Sequence, residues 1–360
     1  MESIFHKRIN KIFNHLSDID LNGLYITNMT NIKYLTGFSG SSAVLLLFND
    51  KAYFLTDGRY TTQAQAQIIN ADIHIIESNY FTAIKNISLF DDKDLNIGFE
   101  SNHMAVSYFN ELLKYFSNIN WHETISIIEN IAAVKDQSEI DSLAEAVKIT
   151  DKVFDEIIPE IKVGVTEKYI SAKISFLFKT NGAEGDSYES IIAGGPNSAL
   201  PHARPTDREF RKGDFIVMDF GALYNGYHAD MTRTLLVGPA SQRHKEIYNI
   251  VLESQIAGIN FAKAGVKCSE VDFACRNIIT NKGYGDLFTH STGHGLGLEV
   301  HTLPRIHKTN HELLEKNNVI TIEPGIYVPN WGGVRIEDDC LITLDGCVPL
   351  NKSTKELIII

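Results

Sequence analysis

Cysteine is scarce in this chain of 360 residues: there are four, at positions 268, 275, 340 and 347, with no C-x-x-C spacing among them. That excludes the common zinc-finger and thioredoxin patterns. In the absence of a disulfide framework, the expected compartment is the reducing cytoplasm. Positive charge is in deficit, 33 Lys and Arg against 45 Asp and Glu for a net charge of −12, which argues against a broad nucleic-acid-binding face. Long apolar runs are missing as well. No segment approaches the roughly 20 residues of a membrane-spanning helix, so no membrane partner is expected. The opening stretch spaces Ile4, Phe5, Ile9, Ile12, Phe13 and Leu16 as an amphipathic helix, not as the continuous apolar core of a secretory leader. Gly293, Gly295 and Gly297 do not form the dinucleotide fingerprint and no P-loop lysine follows, which excludes nucleotide binding.

What remains is a globular chain with 44% hydrophobic residues, long enough for two cores. It divides at about residue 130. Before that point GLYIT, SAVLLLF, AYFLT, ADIHII and NIGF read as strands, with Asn49-Asp50 turning between the second and third. Arg59–Ile69 and Met104–Tyr115 read as helices, so the first part is α/β material. After it, Ser138-Glu139-Ile140-Asp141 resembles a helix capping box, and a second helix follows Thr166 and stops at Gly182. Ser241–Ala264 and Ser269–Lys282 form another helix pair, the second with Ser269 and Asp272 as its expected cap. Helix pairs flank strand-rich segments, which gives an α+β second part.

Within those strand-rich segments five side chains form a hard, metal-type donor set: Asp219, Asp230, His294, Glu323 and Glu337. Four carboxylates and one imidazole carry charge that two divalent cations would neutralise, with bridging carboxylates between them. FIVMDFGALY and YHADMTRTLLV read as strands joined by Asn225-Gly226, the strongest short signal for a type I′ hairpin. That turn sets Tyr224 opposite Tyr227 and Asp219 opposite Thr232, with Asp219 and Asp230 diagonal on one face. The alternative is a pair of solvated hairpin carboxylates. NVITIE and VRIEDDCLIT bracket a turn-rich segment, and antiparallel pairing would bring Glu323 and Glu337 together in apolar surroundings. A carboxylate there needs a partner, a proton or a metal, and Arg335 is the partner at hand for Glu337. Asp338 and Asp339 read as solvated or turn carboxylates. His290, His294 and His301 cluster among glycines that let backbone approach a site.

The blocks YLTGFSGSSAVLLL, FLTDGRYTTQA, SYESIIAGGPNSALPHARP, MDFGALYNGYHADMTRT, HSTGHGLGLEVH, ITIEPGIY and GVRIEDD resemble, in order, those of the Xaa-Pro peptidases: aminopeptidase P and prolidase, in the metallopeptidase family with the pita-bread fold. The resemblance spans nearly the whole chain. It implies an α/β creatinase-like N-terminal domain over residues 1–130 and an α+β pita-bread catalytic domain over residues 131–360. It implies that Asp219, Asp230, His294, Glu323 and Glu337 hold two divalent metal ions, Mn2+ first, with Co2+ and Zn2+ also fitting. His202, His290, His301 and Arg335 then surround a proline-containing peptide. His202 and His301 stabilise the reacting carbonyl, and Glu323 shuttles a proton. Arg335 either orients a substrate carboxylate or braces Glu337.

The implied reaction is hydrolysis of the Xaa-Pro bond at a peptide N-terminus, or a prolidase activity restricted to Xaa-Pro dipeptides. Two further alternatives are a hydrolase of non-peptide C–N bonds and a binding protein without catalysis, and the intact ligand set weighs against both. One departure is Thr302, where many relatives carry an acidic residue. The resemblance also implies a homodimer, in which the Asp57-Gly58-Arg59 region borders the partner's site.

Overall fold

The computed structural model describes residues 3–90 and 94–360. The chain forms two compact units, Met1–Ala132 and Ala133–Ile360. Among the described residues no helix is long and apolar enough to cross a membrane.

The first unit is built on a six-stranded sheet. In spatial order its strands are Asp72–Ile76, Lys51–Asp57, Val44–Phe48, Gly23–Ile26, Asn96–Glu100 and Asn120–Thr124. Val44–Phe48 is buried along its whole length, as an unbroken apolar run in a central strand requires. Asn49 and Asp50 both have positive φ (50° and 56°), and the tight turn they make pairs Phe48 with Lys51. Two short elements lie outside the segments read above as strands or helices. Asn120–Thr124 is a polar edge strand in parallel register with Asn96–Glu100. The short helix Met29–Thr36 is set by the Asn28 side chain at its N-terminus and Gly37 in the left-handed region at its end.

In the second unit the cap of helix Gln137–Ile157 lies two residues before the start of the expected box. Asp136 is its cap and Glu139 closes the box from the third helical position. Glu167–Thr180 starts from Thr166 as expected. These helices cover a three-stranded sheet of Ile191–Gly194, Phe215–Phe220 and Met231–Leu236, through a core that includes Phe154, Phe178 and Phe220. The helices Gln242–Phe261 and Cys268–Asn281 pack on each other. Cys268 and Cys275 from the second of them enter a core with Ile320, Ile322 and Cys340 of a five-stranded sheet. The expected Ser269–Asp272 cap is not formed: Lys267 and Glu270 make the helix start, and Asp272 is fully buried elsewhere. A two-stranded hairpin, Gly325–Val328 with Gly332–Arg335, shares a third core with Phe215 and Leu236 and so ties the two halves of the unit together.

Candidate metal centre

Asn225 and Gly226 have φ of 51° and 77°, the backbone of a type I′ turn, and Tyr224 pairs with Tyr227 across it. The same register continues to Thr232 opposite Asp219. The hairpin bends at Gly221, where a Cβ would stand 1.7 Å from the carbonyl oxygen of Ala229, so only glycine allows the approach. The result is that Asp219 and Asp230 lie on one face, both in contact with the hydroxyl of Tyr188. One phenolic proton serves two carboxylates, and Tyr188 is held well above its usual pKa, by burial first and by those carboxylates second.

The second pair of acids comes from two antiparallel pairings in one register. Ile322 faces Asp338 and Gly325 faces Arg335, which sets Glu323 against Glu337. Glu337 accepts a 2.6 Å hydrogen bond from the Thr232 hydroxyl. Arg335 is buried. It donates to Asp219, to Thr232 Oγ1 (2.9 Å) and to the Tyr327 hydroxyl (2.7 Å), so it braces Asp219 in place of Glu337. His294 sits on the short strand Gly293–Gly295. Its Nδ1 lies 3.1 Å from the Gly295 carbonyl, to which it donates, leaving Nε2 as an acceptor facing Glu323 at 3.5 Å and Asp230 at 3.6 Å.

Donor atoms of Asp230, His294 and Glu337 lie within 4.8 Å of one another. Metal–ligand bonds of about 2.1 Å hold ligand atoms within roughly 4 Å of each other, so a small closure suffices for one ion to reach all three. Asp219, held by Arg335 and Tyr188, and Glu323 complete the same wall of a cavity of about 500 Å³. His202, His290, His301 and Arg335 line it too.

Burial, reinforced by mutual repulsion, raises the carboxyl groups of Asp230, Glu323 and Glu337 well above the usual range. His290 and His294 are pushed the other way, each down to about 3. Burial is the main cause, with Arg335 adding to it at His290 and His301 at His294. Clustered acids and an imidazole with a free, oriented nitrogen are what divalent cations bind, and the donor set fits them.

Asp338 and Asp339 are not solvated; both are buried. Asp338 pairs with Arg233 and Lys355, each at 2.7 Å, and accepts from Gln255. Asp339 Oδ2 receives the backbone N–H of Asp230 at 2.9 Å. The partners lie far away in sequence, so local polarity gave the wrong sign. Sequence reasoning also missed Tyr188, Tyr327 and Arg305, the last an exposed guanidinium on the cavity rim with no carboxylate partner among the described residues.

A family model described as "Metallopeptidase family M24" matches residues 141–344, and one described as "Creatinase/Prolidase N-terminal domain" matches residues 8–134. The chain is 39% identical over 356 residues to "Uncharacterized peptidase YqhT" of Bacillus subtilis, covering 98% of this chain and 100% of that one. Its structure superimposes on an Xaa-Pro dipeptidase from Bacillus anthracis with a TM-score of 0.96 at 37% identity, covering 99% and 100% of the two chains. It superimposes on an X-Pro aminopeptidase from Thermotoga maritima with a TM-score of 0.88 at 32% identity, covering 96% and 100%.

Proposed function

Because the chain belongs to metallopeptidase family M24 and carries a creatinase/prolidase N-terminal domain, we propose that it is a metal-dependent exopeptidase that hydrolyses the Xaa-Pro bond at the N-terminus of peptides. The observation that carries this reading is the convergence of Asp230, His294 and Glu337 in a buried, acid-rich cavity. Asp219, Asp230, His294, Glu323 and Glu337 hold two divalent ions, Mn2+ foremost, with Co2+ or Zn2+ as fitting substitutes. When bound, such ions supply an acidified water near neutral pH and polarise the scissile carbonyl.

The chain's own groups do the rest. His202 and His301 donate hydrogen bonds to the carbonyl oxygen as it gains charge. His301 suits this as a neutral donor, since burial lowers its pKa. Glu323 takes a proton from the attacking water and delivers it to the departing proline nitrogen. That nitrogen is a tertiary amide without N–H, so the proton must come from the site. His290, bonded to the Tyr327 hydroxyl at 2.8 Å, forms a fixed wall for the pyrrolidine ring. The same reading carries a cytoplasmic homodimer, which size-exclusion chromatography with light scattering tests for its mass.

A second reading is favoured by one observation. Arg305 lines the cavity without a carboxylate partner among the described residues, and the free carboxylate of a terminal proline would supply one. That makes the enzyme a dipeptidase. Hydrolysis of Ala-Pro, Ala-Pro-Ala and Ala-Pro amide by chelator-stripped protein with Mn2+ restored separates the readings. Cleavage of the tripeptide supports the aminopeptidase. Cleavage of Ala-Pro alone supports the dipeptidase, and cleavage of none with bound metal overturns both.

A further inference from the structure

His290 lies on a segment that is irregular between the single turn Gly285–Leu287 and the strand Gly293–Gly295, which carries His294. That stretch has no ladder to fix it, yet it places His290 and feeds directly into the strand that carries His294. The support comes from the helix Cys268–Asn281, outside the cavity. Arg276 donates from Nη1 to the carbonyl of Phe288 at 2.9 Å and from Nη2 to the carbonyl of His290 at 2.8 Å. Its guanidinium lies over the Phe288 ring, 4.0 Å from the centroid, and that ring meets the His290 ring edge-on at 5.1 Å. Asp272, one helical turn earlier, holds the guanidinium through two 2.8 Å hydrogen bonds. The same carboxylate accepts from the Thr292 hydroxyl at 2.9 Å. Arg276 thus grips the chain at Phe288 and His290 while Asp272 grips it at Thr292, two residues before His294.

A plain helix-stabilising ion pair, four residues apart, does not explain this arrangement. Such pairs contribute about 0.3–0.5 kcal/mol when exposed, and a buried one is often matched by apolar residues of the same size. Here two of the three donors left over after the pair forms are spent on backbone carbonyls of one segment. A fork with five N–H groups can do that and an ammonium group cannot.

We propose that Arg276 and Asp272 are positioning residues that set the metal affinity of the site by fixing the His290–His294 segment. The proposal rests on the reading of His294 as a metal ligand. Groups that orient a ligand from behind typically change metal affinity by about 10- to 100-fold when removed.

The test uses chelator-stripped full-length protein titrated with Co2+ by calorimetry, for the wild type, Arg276→Lys, and the double variant Asp272→Asn with Arg276→Met. The double variant leaves no unpaired buried charge, so its thermal midpoint without metal should stay close to the wild-type value. Both variants should bind Co2+ about 10- to 100-fold more weakly. Once saturated with Co2+, they should show a lower kcat and a higher KM on Ala-Pro, because the same segment carries the His290 wall. Wild-type Co2+ affinity in a double variant that keeps its thermal midpoint would overturn the proposal while leaving the metal site intact. Failure of the wild type itself to bind Co2+ would overturn the functional reading, and this inference with it.

Discussion

The hydroxyl of Thr232 receives the Nε–H of Arg335 at 2.9 Å and donates to Glu337 Oε2 at 2.6 Å. One fully buried oxygen therefore links the cation that braces Asp219 to a second carboxylate of the same cavity.

Thr232→Val keeps the shape and the strand preference but removes that oxygen. Arg335 Nε then has no partner, and Glu337 loses its donor. Each unmet buried group costs about 1–3 kcal/mol, so the two together predict a loss of about 2–6 kcal/mol in urea denaturation of the metal-free protein. Turnover should fall with it, because Asp219 and Glu337 both lose a fixed orientation. An unchanged unfolding midpoint would mean that water replaces the hydroxyl.

Asp230→Ala and Glu323→Ala should abolish turnover with little loss of folding. Each removes a buried acid whose carboxyl is raised by burial and then by its neighbours, so the metal-free thermal midpoint should hold or rise. The rise in midpoint that Mn2+ gives the wild type should disappear from Asp230→Ala. Near-normal activity in either variant would sink the ligand assignment.

Metal binding should release protons. In metal-free protein Asp230, Glu323 and Glu337 hold protons above the usual carboxylate range, and a cation must displace them. The apparent heat of Mn2+ binding should therefore depend on the ionisation heat of the buffer. Affinity should weaken as pH falls, because protons compete for the same oxygens. Equal heats in phosphate and Tris would refute this.

His290 offers a separate pH signature. Its folded pKa is about 3 against 6.5 for a free imidazole, chiefly through burial. Below pH 6.5 the unfolded chain takes up a proton that the folded chain refuses, so this group lowers stability as the pH falls towards 3. The stability of the wild type relative to His290→Asn, both metal-free, should decline by about 1.4 kcal/mol per pH unit in that window. Using the difference cancels the shared carboxylates, which act in the opposite direction.

What was legible in the sequence follows the range of the interaction. Asn225-Gly226 dictates its own backbone, so the register from Tyr224 to Asp219 follows from the turn, and Glu323 meets Glu337 for a similar reason. Helices Glu167–Thr180 and Gln242–Phe261 follow from their caps and periodicity. Side chains whose meaning lies in distant partners were misread or unseen. Asp339 looks like a turn acid until the N–H of Asp230 is found against it. Asp272 looks like a cap until Arg276 and Thr292 are seen on either side. Tyr188 gives no sign in SYESII that its hydroxyl meets two aspartates. The edge strand Asn120–Thr124 lacks apolar alternation because its side chains are mostly open to water.

The tip of the Asn225-Gly226 turn is exposed at Asn225, and exposed turns are ordinarily where chains gain and lose residues freely. This one has no such freedom. An added residue that slid one strand by one position would send either Asp219 or Asp230 to the opposite face of the sheet. The turn acts as a ruler. Insertions that would be neutral on another surface hairpin are here confined to those that keep the register from Tyr224–Tyr227 to Asp219–Thr232, so the placement of the two aspartates is fixed by geometry well outside the cavity they serve.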